Sequence, residues 1–371
     1  MKKHIYIGIC LVCSVVLLAG CGKKNEVVDQ AEDVGLDKVV EQESETYSED
    51  VNDAIAQAIA MEQESKQKEE EETARLEEEA AKLKEEEEEV TEEKAEISLT
   101  FPGKYALPFE GERGTVELIT YEAKDYVGNG DSVEKKAYVY LPAGYDESKQ
   151  YNVLYLMHGI GGNEKEWGLN NDTAKLKRIL DRIMGEGSVE PFILVTPNGK
   201  ALACEHTQEN DSFYLFGLEL RNDLIPYMES HYATYAEYDE AGYDMSATRT
   251  HRAMAGLSMG GMQTINIGIG ECLDLFSYFG AFSAAPTSDA KGIVAKNIEE
   301  SEYTVDYFYN ICGTEDTIAF QSASAAAKDL PAICKKLVEG ENYLWHEKSG
   351  GHDFGIWYLG IYNFSQLAFS K

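Results

Sequence analysis

Short apolar segments alternate with helical patterns along residues 137–346, and this alternation is the feature that most limits how the chain can fold. The strand-like segments are 137–142, 152–158, 192–197, 252–257, 307–312 and 342–346. Apolar residues recur at helical spacing in 174–184, 218–232 and 259–269. We therefore expect an α/β fold with a mainly parallel central sheet that helices cover on both faces. Ligands of such sheets bind beyond the carboxyl ends of the strands, so the loops that follow strands are the informative ones.

The N-terminus has the pattern of a bacterial export leader. Two lysines precede an apolar run over residues 5–18, which has the length of a signal-peptide core rather than of a membrane-spanning helix. The following Leu18-Ala19-Gly20-Cys21 resembles the lipobox of bacterial lipoproteins. This resemblance implies that residues 1–20 are a lipoprotein signal peptide, that Cys21 carries lipid, and that the protein is exported and anchored to the outer face of the bacterial cell membrane. An uncleaved anchor or an ordinary signal peptide is the alternative.

Residues 21–97 form a second segment, which is acidic and of low complexity. Within it, residues 25–97 hold 28 Asp and Glu against 7 Lys and Arg. Such a composition cannot bury enough apolar surface to offset the entropy lost on ordering. We therefore expect a solvated tether that leads to a folded domain over 98–371. Leu76, Leu83 and Val90 are spaced seven residues apart, so a helical dimerisation arm is the alternative.

The charge of the sequence excludes some classes of partner. The chain carries a formal net charge of −34, and residues 98–371 alone hold 22 basic and 39 acidic side chains. Because so acidic a surface repels phosphate backbones, we expect no nucleic acid among the partners. No apolar run within 98–371 reaches the length that spans a bilayer.

Four cysteines fall within the predicted domain, namely Cys204, Cys272, Cys312 and Cys334. They form no CxxC pair and no cluster with histidine, so we expect no zinc site. An exported protein can form disulfides, but spacing alone does not pair four cysteines. Disulfides and buried free thiols therefore remain alternatives.

The clearest chemical motif is Gly256-Leu257-Ser258-Met259-Gly260-Gly261, which lies between a predicted strand and a predicted helix. Bulky residues beside Ser258 would clash in so tight a turn, which explains the glycines. The turn presents the serine hydroxyl at the sheet edge and directs the next amides, at a helix start, towards it. The pattern predicts a nucleophilic serine, and a glycine turn with a capping serine is the alternative.

A serine nucleophile needs a base, and the base needs an acid that orients it. In the α/β-hydrolase arrangement the acid and then the histidine follow the serine. His346 lies within a predicted strand, whereas His352 follows that strand in a loop at the carboxyl ends of the strands, so we favour His352. Glu315 and Asp316 both follow the strand over 307–312 directly, and spacing does not separate them.

The tetrahedral intermediate of ester hydrolysis also needs amide donors for its negative oxygen. The Met259 amide is one candidate, because it directly follows the serine. The loop His158-Gly159-Ile160-Gly161-Gly162 follows an earlier strand, and its glycines allow the backbone to approach a substrate. A plain turn between a strand and a helix is the alternative for this loop.

Together these motifs resemble the esterase D-like α/β hydrolases, most closely the feruloyl and acetylxylan esterases of carbohydrate esterase family one. The resemblance spans about residues 114–366. The stretches that carry it are 139–145, 153–162, 195–198, 224–227, 251–261, 312–316 and 350–354, with Trp357.

This resemblance implies a role for each candidate residue. Ser258 would be the nucleophile, His352 the base, and Asp316 the acid, because the family acid is the last residue of a Gly-x-x-Asp motif. The oxyanion hole would come from Met259 and from the loop at Ile160. The family uses no metal and no organic cofactor, so neither is expected here.

We therefore expect a cell-surface serine carboxylesterase that removes feruloyl or acetyl groups from plant cell-wall xylan through an acyl-enzyme. Its partners would be plant cell-wall polysaccharide or oligosaccharide esters and, through Cys21, the membrane. Trp167 and Trp357 are candidates for stacking on sugar or phenolic rings, with core packing as the alternative for each. Residues 199–217 and 317–320 depart from the family pattern, which leaves the acyl group open.

Other functions fit parts of this sequence. Thioester hydrolysis, siderophore-ester hydrolysis and acyl transfer to a wall glycan all use the same scaffold. A glycan-binding lipoprotein would use the fold without catalysis, although binding alone does not require a serine, an acid and a histidine together. A structural or adhesion lipoprotein would act through its acidic arm.

Overall fold

A sheet of eight strands organises the part of the chain that the computed structural model describes, residues 97–202 and 210–370, which lie in the compact unit Glu92–Lys371. The strands are β1 Thr115–Lys124, β2 Ser132–Leu141, β3 Asn152–Met157, β4 Phe192–Pro197, β5 Arg252–Leu257, β6 Tyr278–Phe282, β7 Tyr307–Gly313 and β8 Tyr343–Lys348. Their order across the sheet is β1-β2-β4-β3-β5-β6-β7-β8. β2 pairs antiparallel with β1 and β4, and the remaining neighbours pair in parallel.

Helices follow most of the strands. The α-helices of the described residues are α1 Lys175–Gly185, α2 Phe216–Glu219, α3 Ile225–His231, α4 Met259–Gln263, α5 Lys291–Glu300, α6 Phe320–Ala327 and α7 Phe354–Ala368. A π-helical segment, Leu220–Leu224, joins α2 to α3, and another, Thr264–Ile269, continues α4. Short 3₁₀ helices occupy Gly103–Ala106, Asn210–Leu215, Met245–His251 and Leu330–Ala332.

The two faces of the sheet carry separate hydrophobic cores. Helices α1 and α7 pack on one face against side chains such as Leu154. The helical segments 216–231 and 259–269, together with α5, pack on the other face against side chains such as Val153. Successive residues of β3 thus point into opposite cores, and for this reason the strand is apolar along its whole length. The prediction of a mainly parallel sheet covered on both faces is confirmed.

Two strands, β1 and β6, are not among the segments that the sequence predicted. β1 alternates buried and exposed side chains and includes exposed charges such as Glu117 and Glu122, so no apolar run marks it. β6 is short and contains Gly280, a poor strand former. A Cβ atom at Gly280 would lie 2.8 Å from the Phe364 ring, so this glycine allows α7 to pack close to the sheet.

Several predictions concern residues outside the described ranges. These are the leader over 1–20, the lipidated Cys21, the tether up to residue 96, and Cys204. Within the described residues, Cys272, Cys312 and Cys334 are buried free thiols. No helix in that part of the chain is both long enough and apolar enough to cross a membrane.

Candidate active site

The turn at Ser258 joins β5 to α4 in a strained backbone conformation. Ser258 has a φ of 51° and a ψ of −113°, a region that residues with a Cβ atom rarely adopt. Three hydrogen bonds hold it there. Its amide donates to the Phe282 carbonyl at 2.9 Å, and its own carbonyl accepts from the Met262 and Ala285 amides at 3.0 and 2.9 Å. The surrounding strands and helix thus fix the direction of the hydroxyl.

Glycines on both sides of the serine make this turn sterically feasible. A Cβ atom at Gly256 would lie 2.5 Å from the carbonyl carbon of Gly260. A Cβ atom at Gly260 would lie 2.6 Å from the Met157 carbonyl oxygen. Any larger residue would therefore push the start of α4 away from the ends of β3 and β5.

A chain of hydrogen bonds runs from Ser258 through His352 to Asp316. The His352 Nε2 atom lies 3.0 Å from the Ser258 hydroxyl oxygen, and its Nδ1 atom lies 2.7 Å from Asp316 Oδ2. A carboxylate can only accept, so the ring proton is on Nδ1, and Nε2 is free to accept the serine proton. The three residues follow β5, β8 and β7, whose carboxyl ends share one edge of the sheet.

The Asp316 carboxylate is buried and well supplied with donors. Its Oδ1 atom accepts from the Ile318 and Ala319 amides at 2.9 and 2.8 Å. Burial raises the pKa of Asp316, but the hydrogen bonds from Ala319, His352 and Ile318 outweigh it and hold the pKa below its usual value. The carboxylate therefore stays ionised and stabilises the imidazolium that forms when His352 takes a proton.

The other acid and histidine that sequence reasoning considered lie elsewhere. Glu315 accepts a hydrogen bond from the Ser349 hydroxyl at 2.7 Å, on the surface. His346 lies within β8, as predicted, and its Nδ1 atom lies 2.8 Å from the Tyr309 hydroxyl. The structure thus brings Asp316, and not its neighbour, against the histidine that follows β8.

The two predicted oxyanion donors lie on adjacent turns, after β5 and after β3. Met259 is the first residue of α4, so its amide has no acceptor within the helix. Ile160 lies in a turn that the Gly162 amide closes on the Gly159 carbonyl at 3.1 Å, and within the described residues its amide donates to no backbone acceptor. A Cβ atom at Gly159 would lie 3.3 Å from the Ser258 Cβ, so this loop packs directly against the nucleophile turn.

Buried polar side chains that sequence analysis did not single out hold the loops around the site. His158 Nδ1 lies 2.8 Å from the Gly159 carbonyl, and His158 Nε2 accepts from the Gly199 amide at 2.9 Å. Burial lowers the pKa of His158 to about 4, so the ring is neutral with its proton on Nδ1. Gln263 donates to the carbonyls of Gly199 and Phe213 at 2.7 and 2.8 Å, and so joins both ends of the segment 199–213.

The two tryptophans differ in position, and the burial of Trp167 contradicts the prediction that it stacks on a substrate ring. Trp167 is only 1% exposed, and its indole N–H donates to the Met157 carbonyl at 3.0 Å. It is a core residue with no open face for a sugar. Trp357 is 7% exposed and packs edge-on against the His352 ring, with 5.2 Å between ring centroids. It lies beside the site and supports the histidine.

The chemistry that this arrangement supports is nucleophilic. A hydroxyl, an imidazole nitrogen that can accept its proton, a buried carboxylate and two amides lie at one edge of the sheet. Across residues 97–202 and 210–370, no group of three or more His, Cys, Asp or Glu side chains could hold a metal ion.

Comparison with known proteins identifies similar sequences. A family model described as "Putative esterase" matches residues 132–358. The chain is 36% identical over 206 residues to endo-1,4-beta-xylanase Y of Acetivibrio thermocellus, covering 54% of this chain and 18% of that protein. It is 30% identical over 189 residues to an endo-1,4-beta-xylanase/feruloyl esterase of Xylanibacter ruminicola, covering 48% of this chain and 23% of that protein. The chain thus spans only a minor part of either relative's length.

Solved structures are similar along nearly their whole length. The CE1 ferulic acid esterase of the anaerobic fungus Anaeromyces mucronatus superposes with a TM-score of 0.59 at 27% identity, covering 74% of this chain and 97% of that one. The feruloyl esterase module from Clostridium thermocellum, solved as a serine-to-alanine mutant with sinapinate, superposes with a TM-score of 0.61 at 28% identity, covering 75% and 95%. The region matched by the family model includes Ser258, Asp316 and His352.

Proposed function

Because the chain belongs to the esterase family whose model it matches, we propose that it removes feruloyl or acetyl groups from plant cell-wall polysaccharide through an acyl-enzyme on Ser258. The chain is a carboxylic-ester hydrolase with an α/β-hydrolase fold. The observation that carries the finer proposal is the continuous chain of hydrogen bonds from Ser258 through His352 to the buried Asp316. The similarity to feruloyl esterases supports the choice of ester.

The first half of the reaction forms the acyl-enzyme. His352 Nε2 accepts the hydroxyl proton as Ser258 Oγ attacks the ester carbonyl, and a tetrahedral intermediate forms. The amides of Met259 and Ile160 donate to its negative oxygen, which lowers the barrier because these donors are already oriented. His352 then gives its proton to the departing sugar hydroxyl, and the C–O bond of the ester breaks.

The second half releases the acid. Water gives a proton to His352 Nε2 and attacks the acyl carbonyl, and a second tetrahedral intermediate occupies the same pair of amides. The intermediate collapses, Ser258 recovers its proton from His352, and the carboxylic acid departs. Asp316 stays ionised throughout and stabilises the imidazolium in both halves.

Exposed apolar side chains near the site favour an aromatic acyl group. Ile160 is 59% exposed in the oxyanion loop, and Ile318 is 58% exposed two residues after the acid. A phenolic ring buries more apolar area against such side chains than a methyl group does. A feruloyl ester is therefore the first substrate to assay, with an acetyl ester as its competitor.

The location of the enzyme is a further part of the proposal. A polymer such as xylan is too large to import, and a lipid on Cys21 followed by the acidic segment up to residue 97 would hold the domain outside the cell. Replacing Cys21 by Ser is expected to move the protein out of the membrane fraction of cells that express the full chain. Retention of this variant in the membrane fraction would argue against lipid anchoring.

The experiment that tests the function compares two esters. The chain without residues 1–20 is assayed on methyl ferulate and on an acetylated xylo-oligosaccharide, with Ser258→Ala as the blank. Loss of the nucleophile should lower kcat by about 10⁴-fold or more. Ser283→Ala is the matched control, because Ser283 is also buried after a strand with a positive φ of 48° but does not contact His352. Its kcat should stay within about threefold of wild type.

The outcome assigns the acyl group. Turnover of the ferulate alone identifies a feruloyl esterase, and turnover of the acetylated sugar alone identifies a deacetylase. Mass spectrometry of the acid-quenched reaction should show one acyl group on the peptide that contains Ser258. Equal rates for wild type and Ser258→Ala on both esters would refute the proposal.

A further inference from the structure

The orientation of the Ile160 amide depends on a single peptide plane. The amide of Ile160 and the carbonyl of Gly159 belong to the same trans peptide, so they point in opposite directions. The Gly159 carbonyl is held by the His158 Nδ1 atom at 2.8 Å and by the Gly162 amide at 3.1 Å. These bonds keep the carbonyl turned inwards, and the Ile160 amide is left without a backbone acceptor among the described residues.

Glu166 holds the peptide that comes before this plane, between His158 and Gly159. Its Oε2 atom accepts from the Gly159 amide at 2.8 Å, so both polar groups of Gly159 are bonded within the loop. A Cβ atom at Gly162 would overlap the same carboxylate oxygen, which means that the Glu166 side chain fills the inside of the turn. The next residue, Trp167, is locked in the core through its bond to the Met157 carbonyl, so the backbone that carries the carboxylate is rigid.

We propose that Glu166 is a positioning residue that holds the Gly159–Ile160 peptide in the orientation that the oxyanion requires. Glu166 acts through the peptide that precedes the oxyanion donor, because its carboxylate accepts from the Gly159 amide. The inference rests on ester hydrolysis at Ser258 and is independent of which acyl group or glycan is the natural substrate. Burial raises the pKa of Glu166, which is consistent with a carboxyl group enclosed by the loop.

Two substitutions of similar size separate hydrogen bonding from packing. Glu166→Gln keeps an oxygen that can accept from the Gly159 amide, whereas Glu166→Met fills similar space without an acceptor. Glu164→Met is the matched control, because Glu164 is a buried glutamate two residues away whose carboxylate contacts Asn198 at 3.5 Å instead of Gly159. Each variant is assayed as the chain without residues 1–20, on p-nitrophenyl acetate, and its thermal unfolding is recorded.

The expected result is a split between kcat and KM. Glu166→Met should lower kcat by about 10- to 100-fold with KM within about threefold, because a misplaced donor weakens only the transition state. Glu166→Gln should restore kcat to within about fivefold of wild type, and Glu164→Met should stay within about threefold. If Glu166→Met does not fold, Glu166→Ala carries the same expectation.

Three results would overturn the proposal. These are a Glu166→Met variant with wild-type kcat, a Glu166→Gln variant as impaired as the methionine variant, and a Glu164→Met variant that loses as much activity as Glu166→Met. Because p-nitrophenyl acetate carries no sugar, these outcomes do not depend on the glycan. Wild-type hydrolysis of p-nitrophenyl acetate without hydrolysis of the xylan esters would instead count against the substrate proposed above.

Discussion

Asp316 and His352 share a hydrogen bond of 2.7 Å but differ in exposure, since the Asp316 side chain is fully buried whereas the His352 side chain is 17% exposed. The carboxylate is thus kept from water, which strengthens its hold on the ring. The imidazole remains accessible to an ester and to the water that later releases the acid. This difference in burial suits a residue that orients and a residue that transfers protons.

Exchanging the acid for its amide should separate Asp316 from its neighbour. Asp316→Asn places a donor where His352 Nδ1–H needs an acceptor, which favours the wrong tautomer, and kcat should fall by about 10³- to 10⁴-fold. Glu315→Gln is the control, because the Glu315 carboxylate accepts from the exposed Ser349 hydroxyl, and its kcat should stay within about threefold. Steady-state kinetics on p-nitrophenyl acetate measures both. Equal losses in the two variants would contradict the assignment of Asp316 as the acid.

Buried neutral His158 should make the protein less stable in acid. Burial lowers the pKa of His158 from 6.5 to about 4, so between these values the unfolded chain binds a proton that the folded chain does not. The contribution is fully present above pH 6.5 and is lost as the pH falls towards 4, by about 3 kcal/mol in total. Urea unfolding at several pH values measures the slope.

The variant His158→Gln isolates this effect from that of other titrating groups. Glutamine cannot be protonated in this range, so its free energy of unfolding should fall less steeply between pH 6.5 and 4 than that of wild type. Identical slopes would show that His158 is protonated in the folded protein or that its proton affinity is unchanged by folding.

The nucleophile turn should tolerate no side chain at Gly260. Gly260→Ala would place a Cβ atom 2.6 Å from the Met157 carbonyl oxygen and 2.8 Å from that of His158, both backbone atoms that cannot move aside cheaply. We expect a loss of about 1–3 kcal/mol in the free energy of unfolding. Gly292→Ala in α5 is the control, because no atom lies within 4 Å of its Cβ, and alanine there should stabilise by about 0.5–1 kcal/mol. Equal effects at the two sites in urea unfolding would contradict this account.

The fold was largely predictable because buried parallel strands carry continuous apolar runs. β3, β4 and β5 are buried along their whole length, and each was readable as such a run. β1 was not, since it lies at the edge of the sheet and alternates charged residues with buried ones such as Tyr121. Its pairing with β2 depends on tertiary contacts, which the composition of a half-exposed segment does not indicate.

The chemistry of the site was predictable from the sequence, but the side chains that hold its loops in place were not. Ser258 and His352 stand out because glycines and strand ends mark them, whereas the choice of Asp316 depends on the amides that surround its carboxylate. The roles of Glu166 and Gln263 depend on backbone groups that only the folded chain brings near them. Trp167 was wrongly offered as a stacking residue because its burial is decided by packing and not by residue type.

The order of the strands in the sheet links esterase activity to folding. Ser258, Asp316 and His352 follow β5, β7 and β8, so their hydrogen bonds form only after β5 to β8 have assembled through three successive pairings. Partial assembly that excludes β8 leaves the serine without a base. Recovery of esterase activity during refolding therefore reports the completion of this half of the sheet, and its lag behind recovery of secondary structure would time that step.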